Sequence, residues 1–450
     1  MQGAPGCCCH GVHGARGSGH PVSGMGGIVR RRLPDEGVEV MRVVVVGGGI
    51  GGLALGSGLR RAGAEVSVFE RDTDVRATGG YHITLDGRAQ EALRGLVAPE
   101  IVERMLASGS ALRLRDPDAF WDRRGRVLGY GPELRDDPSL DIDRITLRAL
   151  LAEAVGADLH LGKVVSGVGY DGDGAPVVSF EDGSSVTGDL VVGADGAHSL
   201  VARFLAGGPT NAPAGIVGFS GRTSVGNLSA GERERLGTRS GLVVGPRGAA
   251  LYLGFLDPVG NAVLDRPELR ASVTTGPTFI WGAMFPDTSA TGALRKLHGS
   301  ALRAALVARF GELGWSSQVL EVLEAADPAT VAAFRFNAAS SRARDLAPWG
   351  AGRITALGDA VHATPPTAGM GAGAAIRDAA DLVERLGHSS ALVPAVAAFE
   401  AAMRERGAEV LAAAMGPVRW ILFTDTVAGA ALTRAATPVL AAAARARGLR

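Results

Sequence analysis

The pattern of apolar and polar positions opens the regular part of the chain with a strand, a tight turn and a helix. The β-branched run at residues 43–46 leads directly into a glycine-rich turn. Apolar positions then recur at Leu55, Leu59 and Ala62, which is the spacing of one helix face. A second apolar run at residues 66–69 predicts another strand. Together these segments predict a strand–turn–helix–strand unit of about 30 residues.

Later segments repeat the strand signal and enclose a β-rich region. Residues 188–196 and 352–359 are each strand-like and end in an acidic turn. Between them, apolar runs at residues 241–244, 250–256 and 279–285 are separated by turn residues. This spacing is typical of an antiparallel sheet.

The tail from Phe399 to Arg445 is rich in Ala and Leu and predicts helices. Arg419, Asp425 and Arg434 interrupt it, so a membrane span is not expected. Helices packed on the domain surface are the favoured interpretation, and an amphipathic contact with a membrane is the less favoured one.

Charge and cysteine content exclude several classes of function. The 450-residue chain has 46 basic and 46 acidic residues, so it offers no basic footprint for nucleic acid. Its three cysteines are Cys7, Cys8 and Cys9, which excludes a thiol nucleophile or a cysteine-ligated zinc site in the body of the protein. Residues 1–40 are glycine-rich and lack apolar periodicity, so they are predicted to be a disordered leader, with Met41 beginning the folded protein. A metal site in the cysteine run is the less favoured alternative.

The glycine-rich turn has the spacing of a dinucleotide fingerprint. Gly47 permits the tight turn, Gly49 lets the backbone approach a pyrophosphate, and Gly52 lets the helix pack closely on the strand. Ile50 and Gly51 begin a helix whose free N–H groups and dipole favour phosphates.

The end of the second strand supplies an acidic partner for this turn. Glu70 lies 23 residues after Gly47, where a carboxylate can accept ribose hydroxyls, and Arg71 beside it joins the predicted cofactor contacts. A merely tight turn does not explain Glu70, so the combination predicts an adenine dinucleotide.

A second cofactor segment favours FAD over NAD. Asp359 ends a strand, where it can accept hydrogen bonds from a polyol such as the ribityl chain of a flavin. The loop after it contains Pro366, Gly369, Met370 and Gly371, whose backbone amides can pack against a planar ring. The helix that follows would direct its positive end at this ring and stabilise the anionic reduced flavin.

Three ordered motifs carry a family resemblance. They are the glycine turn, the segment Gly193-Ala194-Asp195-Gly196-x-x-Ser199 and the segment from Gly358 to Gly371. Over nearly all of residues 41–385 they resemble the single-component FAD-dependent aromatic hydroxylases, of the p-hydroxybenzoate hydroxylase-like type. Gly79-Gly80-Tyr81 is similar to the branch that oxidises polycyclic antibiotics, including tetracycline-inactivating enzymes.

This resemblance implies an α/β fold: an FAD-binding, Rossmann-like three-layer domain, an inserted antiparallel β-sheet substrate domain, and C-terminal helices. The implied limits are residues 41–205 and 345–390 for the FAD-binding domain, 206–344 for the substrate domain and 391–450 for the helices. The resemblance also assigns FAD contacts to Asp195 and to Arg144, the latter in the element Asp143-Arg144-x-x-Leu147.

The implied activity is that of a cytoplasmic monooxygenase. NADH or NADPH would reduce FAD, O2 would form a flavin C4a-hydroperoxide, and one oxygen would pass to an aromatic or polyketide-like small molecule. Two departures from the family pattern concern cofactor contacts: Ala202 stands where the family has Arg, and Met370 and Gly373 replace Gln and Asn. The choice of nicotinamide cofactor, the substrate and the oligomeric state stay open.

Candidate substrate-side residues come from the β-rich region and the turn before it. His82 and Arg222 are the candidates for catalysis, and Trp281, Met284 and Phe285 are the candidates for a substrate lining. Each has a structural alternative, since Trp281 and Phe285 share a strand parity that equally fits a core face. His362, inside the second cofactor segment, is expected to hold its loop and not to transfer a proton.

Four other functions are alternatives to a hydroxylase. A flavin-dependent halogenase would carry a Trp-x-Trp element and an active-site Lys, and a disulfide reductase would carry a cysteine pair. The chain has no Trp-x-Trp element and only two lysines, and residues 41–450 contain no cysteine. A non-catalytic FAD- and ligand-binding protein stays open because of the altered motifs, as does an antibiotic-inactivating oxygenase of the same fold.

Overall fold

The computed structural model describes residues 30–32, 38–76, 82–258 and 276–447, and only the backbone of residues 30–32, 38 and 39. The cysteine run and Gly79-Gly80-Tyr81 lie outside the described residues. Within the predicted leader, two short described strands pair with each other in antiparallel fashion.

The strands, in chain order, are β1 (Arg30–Arg32), β2 (Val38–Val40), β3 (Arg42–Val46), β4 (Glu65–Glu70), β5 (His82–Leu85), β6 (Ser110–Ala111), β7 (Ala119–Asp122), β8 (Val127–Tyr130), β9 (Leu140–Asp143), β10 (Leu159–Leu161), β11 (Val165–Tyr170), β12 (Pro176–Phe180), β13 (Ser185–Thr187), β14 (Leu190–Gly193), β15 (Ala212–Ser224), β16 (Gly241–Val244), β17 (Ala250–Leu256), β18 (Thr278–Pro286), β19 (Ala332–Ala338) and β20 (Ile354–Ala356).

The α-helices are α1 (Ile50–Arg61), α2 (Gly87–Leu96), α3 (Pro99–Ala107), α4 (Arg144–Val155), α5 (Leu200–Ala206), α6 (Ala230–Leu236), α7 (Ser289–Leu294), α8 (Gly299–Glu312), α9 (Ser317–Glu324), α10 (Asp359–His362), α11 (Gly371–His388), α12 (Leu392–Asp425) and α13 (Val427–Ala446).

A parallel five-stranded sheet in the order β10-β4-β3-β14-β20 forms the middle of three layers. The side chains of β3 alternate between its two faces, as a strand requires. Val43 and Val45 pack with helices α1, α4 and α11, whereas Val44 and Val46 pack against the β11-β12-β13 sheet at Phe180. A strand buried on both faces explains why this segment is continuously apolar.

A second sheet, in the order β19-β15-β18-β17-β16-β7-β8, forms the substrate domain. On one face Phe219, Trp281 and Phe285 pack with Phe310 of α8. The opposite face turns toward the FAD-binding domain and α12, where Met284 packs with the end of that helix. A small sheet in the order β5-β9-β6 lies between the two domains.

The sequence predicted the regular segments well. Strands β16 and β17 match their predicted runs, and β18 extends its run by one residue at each end. The tail forms α12 and α13 as expected. By length and composition alone, α13 could cross a membrane, but such a helix is weak evidence for a span.

The structure places strands β7 and β8 in a different domain from the one predicted by their position in the sequence. β7 and β8 lie within residues 41–205, but β7 pairs in parallel with β16 of the substrate sheet. Ala119 and Trp121 of β7 are fully buried in that domain's core. This pairing joins residues more than a hundred positions apart, which no local pattern indicates.

Candidate functional site

The glycine turn after β3 is shaped by two close backbone approaches. Gly47 has φ of +107°, and a Cβ there would lie 2.4 Å from the carbonyl oxygen of Ala194. A Cβ on Gly52 would lie 2.0 Å from the carbonyl oxygen of Gly47. At Gly49 the nearest atom to such a Cβ is 3.9 Å away. The fold therefore requires glycine at positions 47 and 52, while a Cβ at Gly49 would make only an ordinary van der Waals contact.

Two helix N-termini without side-chain caps converge beside this turn. Neither α1 nor α11 has a side-chain cap or an acidic residue in its first turn. The starts of the helices are close together, because a Cβ on Gly51 would lie 3.0 Å from Cβ of Ala375. Their N–H groups and dipoles favour an anionic or electron-rich ligand.

Glu70 lies directly behind the glycine turn. Its carboxylate accepts hydrogen bonds from the N–H of Gly48 (2.7 Å) and of Asp72 (2.9 Å), and lies 3.3 Å from the guanidinium of Arg148. These contacts hold the carboxylate at the end of β4, where a ribose contact was predicted. Arg71, the next residue, is exposed.

Arg148 of α4 is a site residue that sequence reasoning missed. Its buried guanidinium donates to the carbonyl oxygen of Gly48 (2.9 Å) and to the Asp72 carboxylate. It thereby ties the glycine turn to the segment after β4. The sequence pattern that could have indicated Arg148 is an arginine inside an otherwise apolar helix. In a chain so rich in arginine, one such residue does not stand out.

Arg148→Lys is expected to lower the free energy of unfolding by about 3 kcal/mol, since an ammonium cannot reproduce the forked contacts of a buried guanidinium. FAD retention should fall with it, because Glu70 and Gly48 lose their common anchor. Chemical denaturation and flavin fluorescence measure the two effects. Arg60→Lys is the control, because Arg60 makes a similar carbonyl contact from a half-exposed position. Equal effects of the two substitutions would contradict the assignment.

Asp195 stabilises the turn against which Gly47 packs. Its carboxylate accepts from Ser199 Oγ (2.5 Å) and from the N–H of Leu200 (2.7 Å), so it caps α5. Burial raises the pKa of this carboxyl, and the hydrogen bond from Ser199 only partly opposes the rise. A direct contact between Asp195 and FAD stays a prediction.

Asp359 lies within electrostatic reach of Arg144, and we call these two residues together with Gly47, Gly49 and Gly371 the cofactor groove, where FAD is predicted to bind. Asp359 is the first residue of α10, and its Oδ1 would lie 3.7 Å from a Cβ on Gly371. The surrounding protein raises the pKa of the Asp359 carboxyl by desolvation, and the nearby charges of His362 and Arg144 partly oppose this. The structure thus brings together residues predicted separately from three motifs.

The loop before α11 forms the end of the cofactor groove. Pro366 and Gly369 are exposed, while Met370 and Gly371 are partly buried. A Cβ on Gly369 would lie 3.5 Å from Thr84 Oγ1, so the loop lies against β5.

His362 is fully buried behind the loop and does not line the groove. Its Nε2 lies 2.6 Å from the carboxylate of Asp378, which also accepts from the N–H of Gly358 and from Arg406. Burial alone would lower the pKa of His362, but the Asp378 carboxylate outweighs it and raises the pKa. The arrangement agrees with the expectation that His362 holds its loop.

The two predicted catalytic candidates meet at the boundary between the domains. Arg222 of β15 forms an ion pair of 3.1 Å with Asp143, the residue opposite His82 in the β5–β9 register. His82 Nε2 lies 3.4 Å from the hydroxyl of Tyr252 on β17. We call His82, Arg222, Asp143 and Tyr252 the boundary cluster.

Buried charged residues pack next to the boundary cluster. Asp141 lies 3.8 Å from His82 Nε2 and accepts from Thr84 (2.6 Å) and Arg115 (3.0 Å). Burial, followed by the charge of Asp141, raises the pKa of Tyr252 well above its usual range, so the phenol stays protonated. Sequence reasoning missed Tyr252 and Asp141, which lie far from His82 in the chain.

The predicted substrate lining is corrected by the fold. Trp281 and Phe285 are 0% and 1% exposed and face the core beneath α8, on the side away from the FAD-binding domain. Met284 alone of the three points to the opposite face, where it packs beside α12. The three cannot form one lining, because neighbouring strand residues point to opposite faces.

Comparison with known families assigns this combination of fold and groove to a class. Residues 40–219 and 316–391 match the family described as FAD binding domain. These segments make up more than half of the chain and include the glycine turn, Arg144, Asp195 and Asp359. The chain belongs to this family of flavoproteins.

The relatives include an FAD-dependent hydroxylase and an epoxidase. The chain is 27% identical to an FAD-dependent urate hydroxylase from Mycolicibacterium vanbaalenii, over 82% of this chain and 86% of that protein. It is 28% identical to a zeaxanthin epoxidase from Nicotiana plumbaginifolia, over 77% of this chain and 48% of the epoxidase. The chain thus spans about half the length of the plant epoxidases that it matches.

A solved structure has the same fold. HpxO from Klebsiella pneumoniae, crystallised with FAD and uric acid, superimposes with a TM-score of 0.69 and 24% identity, over 91% of this chain and 95% of that one. The predicted family and fold class are therefore confirmed, and FAD is the ligand for which the family is named. The absence of a close contact at Gly49 and the two helices without side-chain caps fit a bound dinucleotide.

Proposed function

We propose that the chain is an NAD(P)H-consuming monooxygenase that hydroxylates an aromatic or polycyclic small molecule. The observation that carries the proposal is the junction of the cofactor groove with the boundary cluster, since Gly369 at the end of the groove approaches Thr84, two residues from His82 in β5. An organic substrate on the sheet face would therefore lie next to the flavin end of the cofactor.

The groove residues would bind and orient the cofactor. The N–H groups of Ile50 and Gly51 at the start of α1 would face the pyrophosphate, and Asp359 would accept from the ribityl hydroxyls. The positive end of α11 would stabilise negative charge on the ring. Bound FAD supplies the transfer of electrons from NADH or NADPH and the activation of O2.

The boundary cluster would position the substrate. The protonated Tyr252 hydroxyl and the Arg222 guanidinium are donors on a sheet face with small neighbours, including Gly254. A phenolic, enolic or carbonyl oxygen of the substrate suits these donors. Asp143 fixes Arg222 by charge and caps α4 with its other oxygen, so the cluster is held by the FAD-binding domain.

The test is reduction of the bound flavin by nicotinamide cofactor. Yellow protein mixed with NADH or NADPH should bleach, and a substrate from a panel of polyketide-like aromatics should accelerate oxygen uptake and yield a product heavier by one oxygen atom. If FAD binds and neither nucleotide reduces it, the chain is instead a non-catalytic flavoprotein. That alternative is favoured only by the altered motif positions Ala202, Met370 and Gly373. A cytoplasmic location, where both nucleotides are abundant, belongs to the same proposal.

Arg222→Gln is expected to keep FAD and raise KM for the substrate about tenfold or more, because a lost charged hydrogen bond weakens binding by about 1.5–3 kcal/mol. Steady-state kinetics and flavin absorbance separate the two properties. Arg335→Gln is the matched control, since Arg335 lies on the neighbouring strand β19 and makes only a long, half-exposed ion pair. An unchanged KM in Arg222→Gln would remove this residue from the proposed substrate site.

A further inference from the structure

The C-terminal helix α13 presents an apolar face to solvent. Its buried side packs on the body of the protein through small residues: Gly429, Ala430, Thr433, Ala441 and Ala444. On the outward side Val427, Leu432 and Val439 are 91%, 58% and 68% exposed. A surface helix of a globular protein ordinarily carries polar residues on this side, so the face is unusual.

The exposed apolar surface continues onto the end of α12. Trp420 and Phe423 are 37% and 45% exposed, and they lie seven and four residues before Val427. Large aromatic side chains of this kind favour the boundary between water and a lipid bilayer. We call Trp420, Phe423 and the outward side of α13 the apolar face.

A groove rich in arginine runs along one edge of the apolar face. It is lined by Arg123, Arg124 and Arg126 from the β7–β8 turn and by Arg434 and Pro438 from α13. Asp122 is the one acidic lining residue, and it pairs with Arg126 at 2.5 Å. Burial, followed by the like charges of Arg124 and Arg434, lowers the pKa of Arg123. An anion in this groove would relieve the repulsion between the arginines.

Positive charge also dominates the chain around the apolar face. Residues 411–447 contain Arg419, Arg434, Arg445 and Arg447 against the single acid Asp425, although the whole chain has no net charge. The local excess is the complement of an anionic surface.

We propose that α13 and the arginine groove dock the protein on the surface of a bilayer that contains anionic phospholipids. The apolar face would enter the headgroup boundary, and the groove would receive a lipid phosphate. The helix would lie in the plane of the surface without spanning it, because its buried side stays packed on the protein.

A second copy of the chain is a poorer occupant of the same face. A two-fold dimer places the same patch of both copies together, which would bring two arginine grooves side by side. Asp122 in the groove is already paired with Arg126, and Asp425 is the only acidic residue among the described residues 411–447.

The experiment is cosedimentation of the full-length, FAD-loaded protein with vesicles of phosphatidylcholine, prepared with and without phosphatidylglycerol. We expect binding to the anionic vesicles that weakens as salt is added. Leu432→Asp with Val439→Asp should abolish binding, and Arg434→Gln should weaken it about fivefold. Leu114→Asp and Arg344→Gln, two exposed positions elsewhere, are the matched controls and should bind as the wild type does.

Three results would overturn the proposal. One is equal sedimentation with and without phosphatidylglycerol. Another is release of the protein from the vesicles by inorganic phosphate at the concentration of the lipid phosphate. That result would assign the groove to free phosphate. The third is absence of vesicle binding together with a dimer that Val439→Asp dissociates, which would assign the face to a second copy. Retained flavin absorbance shows that each variant is folded.

Discussion

Gly49→Val is expected to give a folded protein that does not retain FAD. The backbone at Gly49 has φ of −76° and ψ of −178°, a conformation open to any residue, and a Cβ there meets nothing closer than 3.9 Å. The valine methyl groups would instead fill the space in front of the α1 N-terminus. Losing the phosphate contacts should weaken FAD binding by about a hundredfold or more. Absorbance of the purified protein and FAD titration measure this effect.

The control for this glycine is Gly95→Val on α2, where a Cβ meets nothing within 4 Å and no cofactor is predicted. That variant should retain FAD and change stability only by the small difference in helix propensity between glycine and valine. Asp359→Ala is expected to behave as Gly49→Val does, since it removes the proposed acceptor for the ribityl chain. Stoichiometric FAD in both site variants would contradict the assignment of the cofactor groove.

Asp378→Asn is expected to lower the free energy of unfolding by about 3–5 kcal/mol. Asp378 is fully buried between His362 and Arg406, so an amide leaves two buried cationic partners without their counter-charge. The N–H of Gly358 also donates to this carboxylate, which couples the network to the turn before Asp359. Thermal and urea unfolding, followed by tryptophan fluorescence, test the loss.

Asp381→Asn is the matched control, because Asp381 lies one turn further along α11 and also contacts Arg406. Its side chain is 16% exposed. Among the described residues, the hydrogen bond of His362 Nε2 goes to Asp378 and not to Asp381. This substitution should lower stability by about 1 kcal/mol or less. Similar losses of unfolding free energy in the two variants would contradict the larger contribution assigned to the buried Asp378.

The ion pair between His362 and Asp378 predicts how the stability of the protein depends on pH. The His362 contribution is complete below its ordinary pKa of 6.5 and is lost as pH rises through its raised folded pKa. Burial would raise the pKa of Asp378, but His362 and Arg406 outweigh it, so its contribution is present above 3.8 and lost as pH falls through the lowered value. The stability difference between wild type and His362→Gln should therefore shrink as pH rises above neutrality. A difference that is constant from acid to alkaline pH would contradict a charged His362.

The glycine turn and the strand ends of the cofactor groove could be predicted from the chain, because their determinants are local, and their contacts with FAD stay a prediction. Gly47, Gly49 and Gly52 form one turn, and Glu70 ends the next strand, so spacing alone indicates their shared function. The role of Arg148 could not be predicted from the sequence. Its partners Gly48 and Asp72 lie 100 and 76 residues away, and a local pattern does not indicate such distant contacts.

The substrate side could be predicted only in part. His82 and Arg222 were selected as isolated polar residues, and the structure places both beside Asp143. Trp281 and Phe285 were wrongly grouped with Met284, because alternation along a strand tells which residues share a face but not which face meets the cofactor. That choice depends on where α8 and the FAD-binding domain pack.

The sequence by itself determined the strand–turn–helix unit, the order of the cofactor motifs, the runs of the substrate sheet and the helical tail, because each depends on neighbours within about a helical or strand period. Only the tertiary structure decided that β7 joins the substrate sheet, that Tyr252 meets His82, and that α13 leaves its apolar side exposed beside four arginines. These features arise from contacts between distant segments. Their stability comes from packing and charge burial, which the linear order of residues does not contain.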